Sequence, residues 1–161
     1  MTAPIRRRSR AREIAMQVLF QFDVRGDNYG GEVGKTTEQL CADEAAGETN
    51  VVEFAARLVE GTVQNRASID QRLQIVARNW DLRRMALVDR NVLRMAAYEL
   101  TFCTDIPPKV VINEAIELAK RFSTANSGGF VNGILDRIRI DLEQERKPAA
   151  AAGEAPATDT P

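Results

Sequence analysis

The sequence predicts an all-α fold, a compact bundle of about six or seven helices, on three observations. Apolar residues recur in successive windows at the i, i+3, i+4, i+7 spacing that lays one buried stripe along a helix. Between these windows stand glycines and prolines, which punctuate helices rather than sustain them. No stretch shows the alternation of a half-buried strand. At 161 residues and 44% hydrophobic content, the chain has the size and composition of one folded domain.

In chain order, an arginine-rich arm leads into a first helix from about Ser9 to Val24, marked by Ile14, Val18, Leu19 and Phe22. Gly26, Gly30, Gly31 and Gly34 break that pattern and predict a flexible connection. A short helix is expected from about Glu38 to Ala45. Asn50 with Glu53 resembles a capping box that starts a longer helix through Phe54, Leu58 and Val63. Ile69, Leu73 and Val76 carry helical spacing toward Trp80, whose large ring suggests an anchor between helices. Leu82, Ala86, Leu93, Ala96 and Leu100 mark the next element. Pro107 and Pro108 suit a first helical turn, where the missing N–H is not needed. Ile112, Ala115, Ile116 and Ala119 then form a stripe, with Glu117 and Arg121 as an exposed pair. The polar loop Ser123 to Gly129 stops that helix, and Val131, Ile134, Leu135, Ile138 and Leu142 supply the last apolar face. Residues 1–142 thus form the expected domain. Residues 143–161, rich in Ala, Pro and Thr, bury too little apolar area to offset their ordering entropy and are expected to stay disordered.

Composition excludes several classes. No apolar run approaches the ~20 residues that cross a bilayer, and the basic N-terminus enters an amphipathic helix rather than a signal peptide. Cys41 and Cys103 have no paired spacing and the chain has no histidine, so neither a zinc set nor a disulfide framework is predicted. A reduced cytoplasm is the expected location, with no cofactor and no metal. The segment GGEVGKTT mimics a phosphate loop but fails on spacing, because Tyr29 stands where the first glycine is required. With no histidine and no activated cysteine, no catalytic residue is assigned and no enzyme is predicted.

The net charge of −1 hides a division along the chain. Residues 1–26 hold six arginines against Glu13 and Asp23, a balance of +4; residues 27–60 hold Lys35 and Arg57 against eight acids, a balance of −6. Arg6, Arg7, Arg8, Arg10 and Arg12 can meet successive phosphates with bidentate hydrogen bonds, which makes a polyanion the predicted ligand. The structural alternative is a solvated basic terminus that aids solubility.

Four blocks also carry a family resemblance: RRRSRAREIAMQVLF, NVLRMAAYEL, VINEAIELAKRF and FVNGILD, in that order. Together they resemble the NusB family of bacterial transcription antitermination factors, over roughly Arg6 to Leu142. The resemblance implies a NusB-like bundle that binds single-stranded boxA RNA together with the ribosomal protein NusE, inside an antitermination complex with RNA polymerase that supports ribosomal RNA transcription. It assigns RNA contact to the arginine segment, to Asn126 and to Phe130, although an acid often stands at the Asn126 position in the family. It assigns partner contact to Phe20, Asp89, Arg94 and Glu99, with Phe20 in place of a frequent tyrosine. The residues alone leave other readings open: Asn126 as a helix cap, Phe130 and Phe20 as core, and the charges as solvated. Two alternative functions remain, a helical protein-interaction scaffold and a freestanding relative of the RNA-binding domain of ribosomal RNA methyltransferases. A homodimer that covers the arginine face would compete with RNA.

Overall fold

A computed structural model describes residues 3–26 and 31–147; the side chains of residues 3–6 are not described. Among these residues the regular structure includes seven α-helices and a 3-10 turn. The helices are α1 (Ala3–Arg25), α2 (Val33–Glu44), α3 (Thr49–Gln64), α4 (Arg66–Val76), α5 (Leu87–Phe102), α6 (Pro108–Phe122) and α7 (Ser127–Arg146), with the turn Leu82–Arg84 between α4 and α5. The all-α expectation and its helix number hold.

Helix α5 is the axis of the bundle, packing against α1, α3, α4, α6 and α7. Every residue from Asn91 to Leu100 is buried, so this helix is surrounded on all sides rather than amphipathic. Its polar residues are therefore satisfied internally. Asn91 Nδ2 donates to Asp23 Oδ2 at 2.9 Å and to the Leu87 carbonyl at 2.8 Å. Close approach is also built in: a methyl group at Gly61 of α3 would overlap the Tyr98 ring, and that ring stacks on Phe102 with centroids 5.4 Å apart.

The boundaries move for identifiable reasons. Helix α1 starts before Ser9, because the preceding arginines are good helix formers and the Ser9 hydroxyl donates to Glu114 Oε1 at 2.6 Å instead of capping. Helix α2 starts at Val33 and includes Gly34, which corrects the extent of the flexible connection; the Lys35–Thr37 part of the false phosphate loop is helical. Helix α3 begins at Thr49, so Asn50 lies inside it and does not cap it. Arg121 pairs with Glu13 of α1, tying α6 to the first helix. Helix α7 begins at Ser127, within the expected loop, and continues to Arg146, past the expected domain end at Leu142. Of the tail, residues 148–161 lie outside the described residues.

Candidate nucleic-acid interface

The five clustered arginines have different fates along α1. Arg7 and Arg8 are exposed, and the Arg8 guanidinium lies 4.5 Å from the centroid of the Phe54 ring on α3. That cation–π contact holds the charge at the surface without neutralising it. The side chain of Arg6 falls outside the described residues. Arg10 is already engaged, with Nη1 2.8 Å from Glu48 Oε1 and Nη2 bonded to the Glu44 carbonyl.

Arg12 is not a surface residue, which corrects its assignment to RNA. It is 1% exposed, as is Glu99. Its Nη2 donates to Glu99 Oε1 at 2.7 Å and its Nε to Oε2 at 3.1 Å, while Nη1 stands 3.6 Å from Glu114 Oε1. Burial pushes the Glu99 carboxyl above its ordinary pKa and the Arg12 hydrogen bonds oppose that rise. Both charges are spent on joining α1 to α5, so Glu99 is likewise unavailable to a partner.

Arg94 is the second correction among the partner residues. It is 5% exposed, with Nε 2.7 Å from Asp70 Oδ1 and Nη1 3.1 Å from Asp23 Oδ2. Asp23 gathers Arg90 as well, at 2.8 Å. Burial works to raise the Asp23 carboxyl, but hydrogen bonds from Asn91 and Arg90, with the Arg94 charge, hold it below its ordinary value. Asp89 is 8% exposed and accepts from the Ser127 hydroxyl at 3.1 Å, while its Oδ1 is buried without a hydrogen-bond partner. Of the four residues assigned to partner contact, Phe20 alone keeps a half-exposed side chain.

A different group of residues forms a hollow of about 720 Å³ where the α4–α5 connection meets the start of α7. Trp80, Arg84, Asp89, Thr124, Asn126 and Phe130 line it. Trp80 is 58% exposed, which overturns its expected role as a core anchor. Its ring meets Phe130 edge to face, with centroids 5.4 Å apart and planes at 71°. The connection turns outward because Gln74 of α4 holds it: Nε2 donates to the Trp80 carbonyl at 2.9 Å and Oε1 accepts from the Leu82 amide at 3.0 Å. Asp81 accepts from the Arg83 amide at 3.0 Å and starts the 3-10 turn. On the opposite wall, Asn126 precedes α7 but makes no side-chain cap bond, so its exposed amide is available to a ligand. Phe130 is half-buried, with one side packed on the core.

The NusB family model covers residues 9–139. This chain belongs to the NusB family. A transcription antitermination protein NusB from Anaeromyxobacter dehalogenans (strain 2CP-1) is 44% identical over 141 residues, 88% of this chain and 96% of the relative. The corresponding protein of Desulfitobacterium hafniense (strain DCB-2) is 47% identical over 128 residues, 80% of this chain and 84% of that one. Among solved structures, T. maritima NusB aligns with a TM-score of 0.74 at 41% identity, covering 86% of this chain and 92% of that chain. Antitermination factors NusB and NusE in complex with dsRNA align with a TM-score of 0.75 at 29% identity, covering 84% and 98%.

Sequence reasoning missed Trp80 as an exposed ring, and the only local signal was its place in the polar segment RNWDLRR. Outside these surfaces the chemistry is quiet. Cys41 and Cys103 are buried free thiols, both pushed up in pKa chiefly by burial. Among the described residues no group of His, Cys, Asp or Glu is placed to hold a metal ion, and no helix is long and apolar enough to cross a membrane.

Proposed function

We propose that this chain is a non-enzymatic RNA-binding transcription antitermination factor that holds boxA RNA as an unpaired strand, together with NusE, in the RNA polymerase antitermination complex that supports ribosomal RNA transcription. The observation that carries the reading is the exposed Trp80 ring set against half-buried Phe130, beside the free amide of Asn126. Phosphate contacts position a nucleic acid but do not read its sequence; stacking surfaces and amides do, and they need bases that are splayed out rather than paired. Arg7 and Arg8 supply the charge that holds the backbone. Phe20, on α1, is the residue through which NusE contact is assigned here. The functional unit is one helical domain ending at Arg146, with a reduced cytoplasm as its setting.

Fluorescence anisotropy of a short labelled boxA RNA, with and without NusE, tests the reading. The expected result is tighter binding to boxA than to a scrambled strand or a fully paired duplex, strengthened by NusE. Equal weak binding to all three, indifferent to NusE, refutes it and favours a protein-interaction scaffold.

A further inference from the structure

We infer that the hollow between α1 and α3 binds a backbone phosphate of the RNA and that Arg57 is its third guanidinium, an extension that rests on the RNA-binding reading above. The hollow, about 470 Å³, is lined by Arg7, Arg8, Asn50, Glu53, Phe54 and Arg57. Three guanidiniums thus face one lining carboxylate, that of Glu53.

The floor is apolar and fixed. Phe54 is 7% exposed, and the Arg8 guanidinium is held over its ring at 4.5 Å. A charge placed this way loses little rotamer freedom when it meets an anion. The buried Arg12 guanidinium also lies over Phe54, at 5.2 Å, but its hydrogen bonds go to Glu99. The Asn50 amide adds an uncharged donor at the edge.

Arg57 arrives from α3, far from the arginine arm in sequence and inside the stretch with the most acidic balance. Its Nη2 donates to Asp105 Oδ1 at 3.0 Å, and the two side chains are 40% and 56% exposed. An ion pair this wet is worth roughly 0–1 kcal/mol, so a phosphate that offers Arg7, Arg8 and Arg57 one shared acceptor group can displace Asp105. The arrangement keeps Arg57 aimed at the rim while the hollow is empty and releases it when an anion arrives.

The test uses the full chain and labelled boxA and scrambled RNAs across a salt series, with R57Q, D105N and R8Q compared to wild type. One single-strand phosphate contact contributes about −0.7 to the slope of log K against log salt, which amounts to about fivefold in affinity at ~0.1 M salt. R57Q is expected to weaken both RNAs by about that factor and to flatten the slope by about 0.7. D105N, which removes the competing anion, is expected to tighten both. If R57Q leaves affinity and slope unchanged while R8Q lowers them, the RNA reading stands and the Arg57 site is overturned. If D105N binds no tighter than wild type, Arg57 serves to hold Asp105 and the inference falls. If the wild-type chain binds neither RNA, both readings fall together.

Discussion

Arg12 decides between two accounts of the arginine arm, because the sequence assigns it to RNA and the structure assigns it to the core. In R12M the guanidinium is replaced by an apolar chain, and Glu99 keeps its burial but loses the hydrogen bonds from Arg12, at 2.7, 3.1 and 3.2 Å. Glu114 keeps the Ser9 hydroxyl but loses the nearby charge. Removing one partner of a buried ion pair costs about 3–5 kcal/mol, since the other charge stays desolvated. That is a large part of a total stability of roughly 5–15 kcal/mol, so the urea midpoint of R12M should fall steeply at neutral pH. The loss should shrink in acid. Burial already raises the folded-state pKa of Glu99, and without Arg12 only the Arg8 charge is left to oppose the rise. The folded state then binds the proton more tightly than the unfolded state, so this group's contribution is full below the unfolded pKa and is lost as pH climbs through the folded one. R12M should therefore gain stability relative to wild type as pH falls toward the ordinary carboxylate range. The double variant R12M/E99L, which removes both charges, should recover most of the loss and bind RNA with the wild-type salt slope. Wild-type stability in R12M, with a salt slope flattened by about 0.7, would refute the structural placement.

Three further outcomes follow from the same geometry. With Arg12 internal and Arg10 bonded to Glu48 and the Glu44 carbonyl, Arg7, Arg8 and Arg57 remain as described contacts and account for an RNA salt slope of about −2, which Arg6, outside the described residues, would bring to about −2.8; a measured slope of about −3.5 or steeper, that of five free arginines, counts against the assignment. Trp80 is the sole tryptophan, so its emission should shift on adding boxA RNA, and W80A should weaken binding by about 1–3 kcal/mol per stacked base without altering the salt slope; unchanged emission at saturating RNA would remove Trp80 from the site. G61A forces a methyl group against the Tyr98 ring and should destabilise by about 1–3 kcal/mol through overpacking, read as a lowered urea midpoint with an unchanged denaturant slope.

What the sequence disclosed and what it hid divide along one physical line. Helix α6 was legible because one face is wet: Ile112, Ala115 and Ala119 are buried and Ile116 is half-buried, and Pro108 opens the helix as its fixed φ allows. The apolar face of α7 was legible for the same reason, with Val131, Ile134, Leu135, Ile138 and Leu142 all buried. Helix α5 was legible as a helix but not in its surroundings, because it is buried on every side and its charges are paired across space. A lone Arg94 or Glu99 in a sequence reads as a solvated rim, since solvation is the default fate of a charge. Only Asp23, Asp70 and Arg12, distant in the chain, make their burial tolerable. Trp80 failed in the opposite direction. A large aromatic defaults to the core, and the Gln74 hydrogen bonds that turn it outward join residues on either side of a connection that carries no pattern of its own.

The division of labour among the arginines has a consequence for how the RNA surface is held. Arg8 and Arg12 are four residues apart and lie on one face of α1, both against Phe54. One turn deeper, Arg12 is closed in by α5 and α6 and bonded to Glu99, with Glu114 close by; one turn out, Arg8 is in solvent. The buried pair gives α1 a fixed rotation and depth, because a guanidinium bonded through two nitrogens to one carboxylate tolerates little sliding. Arg7 and Arg8 inherit that placement and meet the α3 hollow in one register. A hydrophobic replacement of the pair would keep the helix packed while removing this directional constraint. Comparing R12M/E99L with wild type for RNA on-rate and off-rate therefore separates the two contributions. Equal stability with a faster off-rate would assign the pair to orienting the arm, whereas unchanged rates would assign it to the fold alone.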